Sequence, residues 1–257
     1  MLRVDARSVP GLELLAIPGI PEIRKGDDLV VEILKAAKSA GLRFEDGDVV
    51  VAAQKVVSKA EGAVVSLATM KPSERAEALA AELKKDARAI ELVLRESRRI
   101  VRSERVLITE TKHGFVCANA GVDHSNVPGE DVVTLLPRDP DGSAEKLAGE
   151  LSKKTGKRIA VIVSDTFGRP WRLGLTNVAI GSSGLQVLVD LRGTKDREGK
   201  PLTATVLAVA DELASAAGLL MGKSDGTPAV IVRGYRHKPA SEKAASMIRP
   251  ASEDLFR

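Results

Sequence analysis

The stretch AVIVSDTFGRPW, residues 160–171, constrains the fold more than any other. An apolar run broken only by Ser164 reads as a buried strand that brings an acid, Asp165, and a hydroxyl, Thr166, to its end. Phe-Gly-Arg-Pro-Trp then reads as a turn shaped by Gly168, Pro170 and Trp171, with Trp171 packing into the core. LELLAI (12–17), VVVAA (49–53) and AVIVRG (229–234) read as further strands. Helices are expected at GDDLVVEILKAAKSAG (26–41), capped by Asp27 or Asp28 and stopped at Gly41, and as one long stretch over 73–99 opened by Pro72 and Ser73. Two more are expected, from Asp141-Gly142-Ser143 to Thr155 with Gly156 ending it, and near 203–221. Short strands are expected at 63–68, 105–111, 115–121 and 132–137, the middle two joined by a hairpin at Lys112-His113-Gly114, and a strand pair within 177–191. Hairpins beside helix crossovers give an α+β (mixed α/β) class with mixed sheets.

Composition removes several classes. Apolar residues at 44% and charged ones at 29% are globular values, and 257 residues suffice for a substantial core, as one domain or two small ones. No run reaches the about 18 apolar residues of a membrane span, and the N-terminus lacks the apolar core of a signal peptide. Cys117 is the single cysteine, so an internal disulfide or a cysteine metal cluster is ruled out, and the cytoplasm is the default location. The net charge of +4 invites a nucleic-acid reading. Aromatic residues at 2% leave few stacking platforms, and the charge-dense segment 71–105 mixes ten basic with seven acidic residues, as a solvated helix face does.

The common nucleotide motifs are missing. There is no GxGxxG, and Gly218-Leu-Leu-Met-Gly222-Lys223-Ser224 has three residues between its glycines where a P-loop needs four. It also leaves a helix for a strand, the reverse of P-loop context. MGKSDGTP nonetheless remains a polar, glycine-rich loop with a lysine, able to wrap phosphates in another geometry. His113, His124 and His237 are too scattered to make a metal site by spacing.

Polar clusters do stand at the ends of apolar stretches. Asp123 and Asn126 follow 115–121; Asp165, Thr166 and Arg169 follow 160–164; Lys55, Ser58, Lys59 and Glu61 follow 49–53; Arg24 and Lys25 follow a Pro18-Gly19-Ile20-Pro21 turn. Each taken alone has a plain reading as a turn former, a strand-end cap or a solvated lysine. Together, two carboxylates and a hydroxyl are the hard oxygen ligands of Mg²⁺ or Mn²⁺, and lysines with glycine-rich loops suit a triphosphate. The set points to metal-dependent phosphoryl chemistry without a P-loop.

Seven segments in order carry a resemblance: GIPEIRKGDDL, DGDVVVAAQKVVSKAEG, NAGVDHSNV, LLPRDPDGSAEKL, VIVSDTFGRPWRLG, AVADELASAAGLLMGK and TPAVIVRG. They resemble the signature segments of the coenzyme F420-0:L-glutamate ligase (F420:γ-glutamyl ligase) family, across about residues 10–235. The resemblance implies a γ-glutamyl-ligase-like α+β fold over 1–257, neither P-loop nor Rossmann, either as one domain or as two closely packed subdomains. It implies a cytoplasmic homodimer that acts on GTP, L-glutamate and a deazaflavin precursor, with no nucleic acid or membrane partner. A carboxylate is activated as an acyl phosphate at the expense of GTP, glutamate's α-amino group is joined to it, and repeated cycles lengthen a glutamate tail. Mg²⁺ or Mn²⁺ is implied, with room for K⁺. On the family pattern Asp123, Asp165 and Thr166 match metal positions. Ile20, Pro21, Glu22, Ile23, Gln54, Lys55, Lys59, Asn126 and the loop Met221, Gly222, Lys223, Ser224, Asp225, Gly226 and Thr227 match GTP-contacting positions. To these the residue chemistry adds Lys59 as a phosphate counter-charge and Arg169 as a stabiliser of the transferring phosphoryl group.

Two departures stand out. Lys223 occupies a place where archaeal-type members would be acidic, in a shorter loop that resembles the fused bacterial members. The tail IRPASEDLFR resembles the junction region of the fused forms and the sequence stops at Arg257, so a stand-alone ligase domain, by nature or by truncation, is expected. A related amide ligase on another carboxylate and a non-catalytic nucleotide- or deazaflavin-binding protein are the alternatives.

Overall fold

A computed structural model describes residues 11–254. The strands are β1 (Glu13–Ala16), β2 (Val49–Ala53), β3 (Val64–Ser66), β4 (Ser97–Arg102), β5 (Ile108–Thr111), β6 (Val116–Ala118), β7 (Val132–Thr134), β8 (Ala160–Arg169), β9 (Arg172–Ser183), β10 (Val189–Asp190), β11 (Val206–Leu207) and β12 (Ala229–Arg233). The α-helices are α1 (Leu29–Ser39), α2 (Gln54–Glu61), α3 (Glu74–Leu83), α4 (Ala87–Glu96), α5 (Pro140–Thr155) and α6 (Val209–Met221).

The central sheet runs β1-β12-β2-β8-β9, antiparallel throughout except for the parallel pair β2–β8. Alternation along its apolar strands feeds two separate cores. Val50, Ala52, Val161, Val163 and Ile231 face one side with residues of α1 and α5, while Val49, Val51, Ile162, Val230 and Val232 face the other with α6. Strands covered on both faces have no use for polar alternation, which is why they read as unbroken apolar runs. A third core lies in a smaller lobe, where Ile90 and Val93 of α4 and Ala76 and Ala80 of α3 pack with Leu107, Val122 and Val133.

The structure amends several expectations. The long helix over 73–99 is two helices: Lys84 turns left-handed (φ 52°) and Asp86 caps α4 by accepting from the Arg88 N–H. A carboxylate that satisfies free helix N–H groups competes with helix continuation, and here it starts a new helix. Ser97 to Arg102 is strand β4, not helix. Helix α5 is capped by Asp139, whose side chain accepts from Gly142 N–H. Asp141 is instead buried in its first turn. Within 63–68 only Val64–Ser66 is strand, and Leu67–Thr69 is a 3-10 turn.

The largest amendment concerns the opening stretch. Strand β8 does not end at Asp165 and Thr166; it runs on to Arg169 and pairs with β9 out to Arg169–Arg172. What ends there is its neighbour, since β2 leaves β8 at the Ala53–Ser164 pair to become α2. The β8–β9 arm then projects beyond the sheet. Trp171 takes φ 58° in its two-residue turn and is 80% exposed, so the core role expected for it is overturned: among the described residues no layer buries it at the arm's tip.

Candidate functional site

Four of the polar segments meet because four chain ends meet. The ends of β1 and β2, the start of β12 and the point where β8 loses β2 all lie at one end of the sheet. A cleft of about 290 Å³ opens there, walled by Ile20–Ile23 after β1, by the first turn of α2, by β8 and by the loop before β12. The smaller lobe contributes Asp123, Ser125 and Asn126 across the opening.

Helix α2 starts at the cleft wall directly from β2, and Ala53 supplies no side-chain cap for its first N–H groups. Lys55 and Lys59, four residues apart, share one helix face. The Lys55 ammonium donates to Asp123 Oδ2 at 2.6 Å, to Ser125 Oγ at 2.9 Å, and to the Ser125 carbonyl. Lys59, 6% exposed, donates to Glu22 Oε1 at 2.5 Å and to the Asn126 carbonyl at 2.7 Å. The Asn126 amide in turn donates to the Lys223 carbonyl at 3.0 Å, tying the lobe to the late loop. That loop leaves α6 through Gly222 at φ 57°, where a Cβ would come within 2.0 Å of Asp225 Oδ2. The positive φ favours glycine there, while the exposed Asp225 carboxylate can swing aside.

The two carboxylates differ. Burial alone raises the Asp123 carboxyl, but hydrogen bonds from Lys55 and Ser125 outweigh it and hold the group below the usual range. Asp165 is pushed up to about 6, first by burial and further by the charge of Asp123. The Thr166 N–H and the charges of Lys223 and Lys55 oppose this without reversing it. Thr166 Oγ1 donates to Asn177 Oδ1 at 3.0 Å and accepts from the Lys223 ammonium at 2.7 Å.

Most of the residues singled out from the sequence line this cleft: Ile20 to Ile23, Gln54, Lys55, Lys59, Asp123, Asn126, Asp165, Thr166, and Met221 to Ser224 with Gly226 and Thr227. Arg24, Lys25, Ser58, Glu61, Arg169 and Asp225 lie apart from its wall. Arg169 sits on the exposed arm and donates to the Leu173 carbonyl at 2.6 Å. The Asp225 carboxylate accepts from Ser224 Oγ at 3.3 Å within its own loop. Sequence reasoning missed Ser125, Ser164 and Asn177. Ser164 is 2% exposed and its hydroxyl has no partner among the described residues although it lines the cleft. Its interruption of an apolar strand was the signal available. Asn177 carries no local signal, because only β8–β9 register places it opposite Thr166. Gly218 lets α6 close on Asn177, where a Cβ would lie 2.9 Å from the Asn177 side chain.

An α+β scaffold thus holds a cleft of paired carboxylates, lysines and a glycine-containing loop at a sheet end. The sequence profile of the F420-0:Gamma-glutamyl ligase family matches residues 19–234, and the chain belongs to that family. It is 46% identical over 251 residues to the coenzyme F420:L-glutamate ligase of Methanothermobacter thermautotrophicus, covering 96% of this chain and 99% of the relative. The coenzyme F420:L-glutamate ligases of Methanopyrus kandleri (47%; 97% and 99% covered) and Archaeoglobus fulgidus (45%; 96% and 96%) are similarly related.

Proposed function

We propose that this chain is a GTP- and divalent-metal-dependent ligase that joins L-glutamate through its α-amino group to the carboxylate of coenzyme F420-0, and extends the tail in further cycles. The observation that carries the reading is the convergence of Asp123, Asp165, Lys55, Lys59 and the 222–227 loop on one cleft, in a chain of this family. The names of its relatives supply the substrates.

The acceptor carboxylate attacks the γ-phosphorus and GDP departs, giving an acyl phosphate. The amine of glutamate then attacks the acyl carbon, phosphate leaves, and the amine's proton is lost to solvent. The uncapped start of α2 and the lysine face beside it favour the phosphates, through N–H groups and positive charge. Asp123 and Asp165 suit a divalent cation, since Mg²⁺ takes one or two carboxylates beside phosphate oxygens and water. Ser164's unpartnered hydroxyl is a further oxygen at the same wall. When bound, such a cation neutralises charge between two anionic reactants. Glu22 and the Asn126 carbonyl hold Lys59 extended into the cleft, so its ammonium is oriented before ligand arrives.

A homodimer belongs to the same reading. Leu173 (97% exposed) and Leu175 on β9 and Leu219 on α6 are exposed apolar side chains on two elements tied together by Ser215 Oγ donating to the Asn177 carbonyl at 2.8 Å, and we take them as the dimer contact. Light scattering on Leu173→Glu is expected to show a monomer where the parent chain is a dimer. Among the described residues no helix is long and apolar enough to cross a membrane, and we assign the reaction to the cytoplasm.

The deciding experiment is phosphate release from GTP with Mg²⁺ or Mn²⁺, L-glutamate and the deazaflavin precursor, followed by mass analysis. A gain of glutamyl units that requires both GTP and precursor is expected. GTP binding without glutamyl addition sinks the ligase reading in favour of another acceptor or a non-catalytic binder.

A further inference from the structure

The lysines of the cleft are not equivalent. Lys55 is spent on Asp123 and Lys59 on Glu22, each in an ion pair. The Lys223 ammonium instead rests on a neutral oxygen, Thr166 Oγ1, at 2.7 Å. That hydroxyl has already given its hydrogen to Asn177, so it meets Lys223 as an acceptor. An ammonium accepted by an oxygen lone pair in a cleft wall occupies the place of a small coordinated cation. The residue is fixed there from both sides, its carbonyl by Asn126 and its backbone by the Gly222 turn.

Strand geometry separates this position from the carboxylates. Successive side chains on β8 point to opposite faces, so Thr166 turns with Asn177 toward α6 and Asp165 turns the other way, where the charges of Asp123, Lys223 and Lys55 all reach it. One charged position therefore lies between Asp123 and Asp165, and a second lies at Thr166.

Resting on the metal–nucleotide reading above, we infer that Lys223 is a built-in cation that takes the place of a second divalent ion at Thr166, so that this chain loads one divalent ion per nucleotide. The ammonium supplies permanent charge at Thr166 and requires no loading.

The test counts ions directly. Mn²⁺ is titrated into the whole chain with a non-hydrolysable GTP analogue, and free Mn²⁺ is read by electron paramagnetic resonance. One bound ion per chain is expected for the parent chain and for Lys223→Arg, and two for Lys223→Glu. Lys223→Gln is expected to keep one ion and to bind the analogue about 10-fold more weakly, as loss of one charged hydrogen-bonding group does. Two ions in the parent chain overturn the inference and leave the functional reading standing. A single ion in a folded Lys223→Glu chain overturns it too. Should Lys223→Glu not fold, the parent count and unchanged affinity in Lys223→Gln still decide against it. No nucleotide-dependent Mn²⁺ binding in any variant fells the functional reading and the inference together.

Discussion

Two aspartates, Asp141 of α5 and Asp165 of β8, differ in how far the fold satisfies their carboxylates. Asp141, 7% exposed in the first turn of α5, accepts from the N–H groups of Ser182 (2.9 Å), Ala244 (2.7 Å) and Ala245 (3.3 Å). It joins a helix start, strand β9 and the C-terminal segment, and its bonding capacity is used within the fold. Asp165 is half-buried at the cleft, with the Thr166 N–H and the charges of Lys223 and Lys55 in its favour among the described residues, and its pKa rises to about 6. A saturated buried carboxylate is a joint; an undersaturated one at a cleft is poised for a ligand.

The comparison breaks most directly at Asp165. Replacement by Asn is expected to lower turnover about 10³-fold, the scale of removing a group that stabilises developing charge, while the ligand-free chain melts at the same or a higher temperature. Steady-state kinetics beside a thermal melt checks both halves. A variant that loses activity only because it unfolds would make Asp165 a joint after all.

Asp141 should behave the other way. Asp141→Ala leaves three N–H groups without their acceptor and is expected to cost on the order of 3 kcal/mol in urea unfolding. Asp141→Asn keeps one acceptor oxygen and recovers part of that loss. Equal destabilisation by both would mean that the charge, not the accepting geometry, holds the joint.

The smallest effect sharpens the contrast through pH. A carboxyl whose pKa rises on folding binds protons more tightly in the folded state. Its stabilisation is complete below the unfolded value of 3.8 and is lost as pH rises through about 6. The ligand-free chain should therefore lose about 2 to 3 kcal/mol of stability from this group between about pH 4 and 7. Asp165→Asn should flatten that part of the curve. Urea midpoints across pH for the two chains test it, and a parallel pair of curves refutes it.

Much of the fold is legible locally. Ser73 and Asp28 cap their helices as their side chains dictate, and the unbroken apolar runs become the doubly covered strands β2, β8 and β12. The break at Lys84–Asp86 was less visible, because the residues on either side are good helix formers and only the cap chemistry of Asp86 interrupts them. Trp171 misled because a large apolar residue predicts burial only where another layer exists to bury it.

The sequence by itself determined the reactive inventory: an acid and a hydroxyl in SDT, lysines four apart in QKVVSK, and a glycine-hinged loop at MGKSDG. These are local facts of side-chain chemistry and backbone freedom. Only the tertiary structure decided that they share one cleft. Their meeting depends on β2 pairing with β8 and then leaving it at Ser164, and on β12 lying antiparallel beside β2. It also decided which lysine is spent on a carboxylate and which rests on Thr166. Strand order, register and the distance between charges are set by packing across tens of residues, and no short stretch contains them.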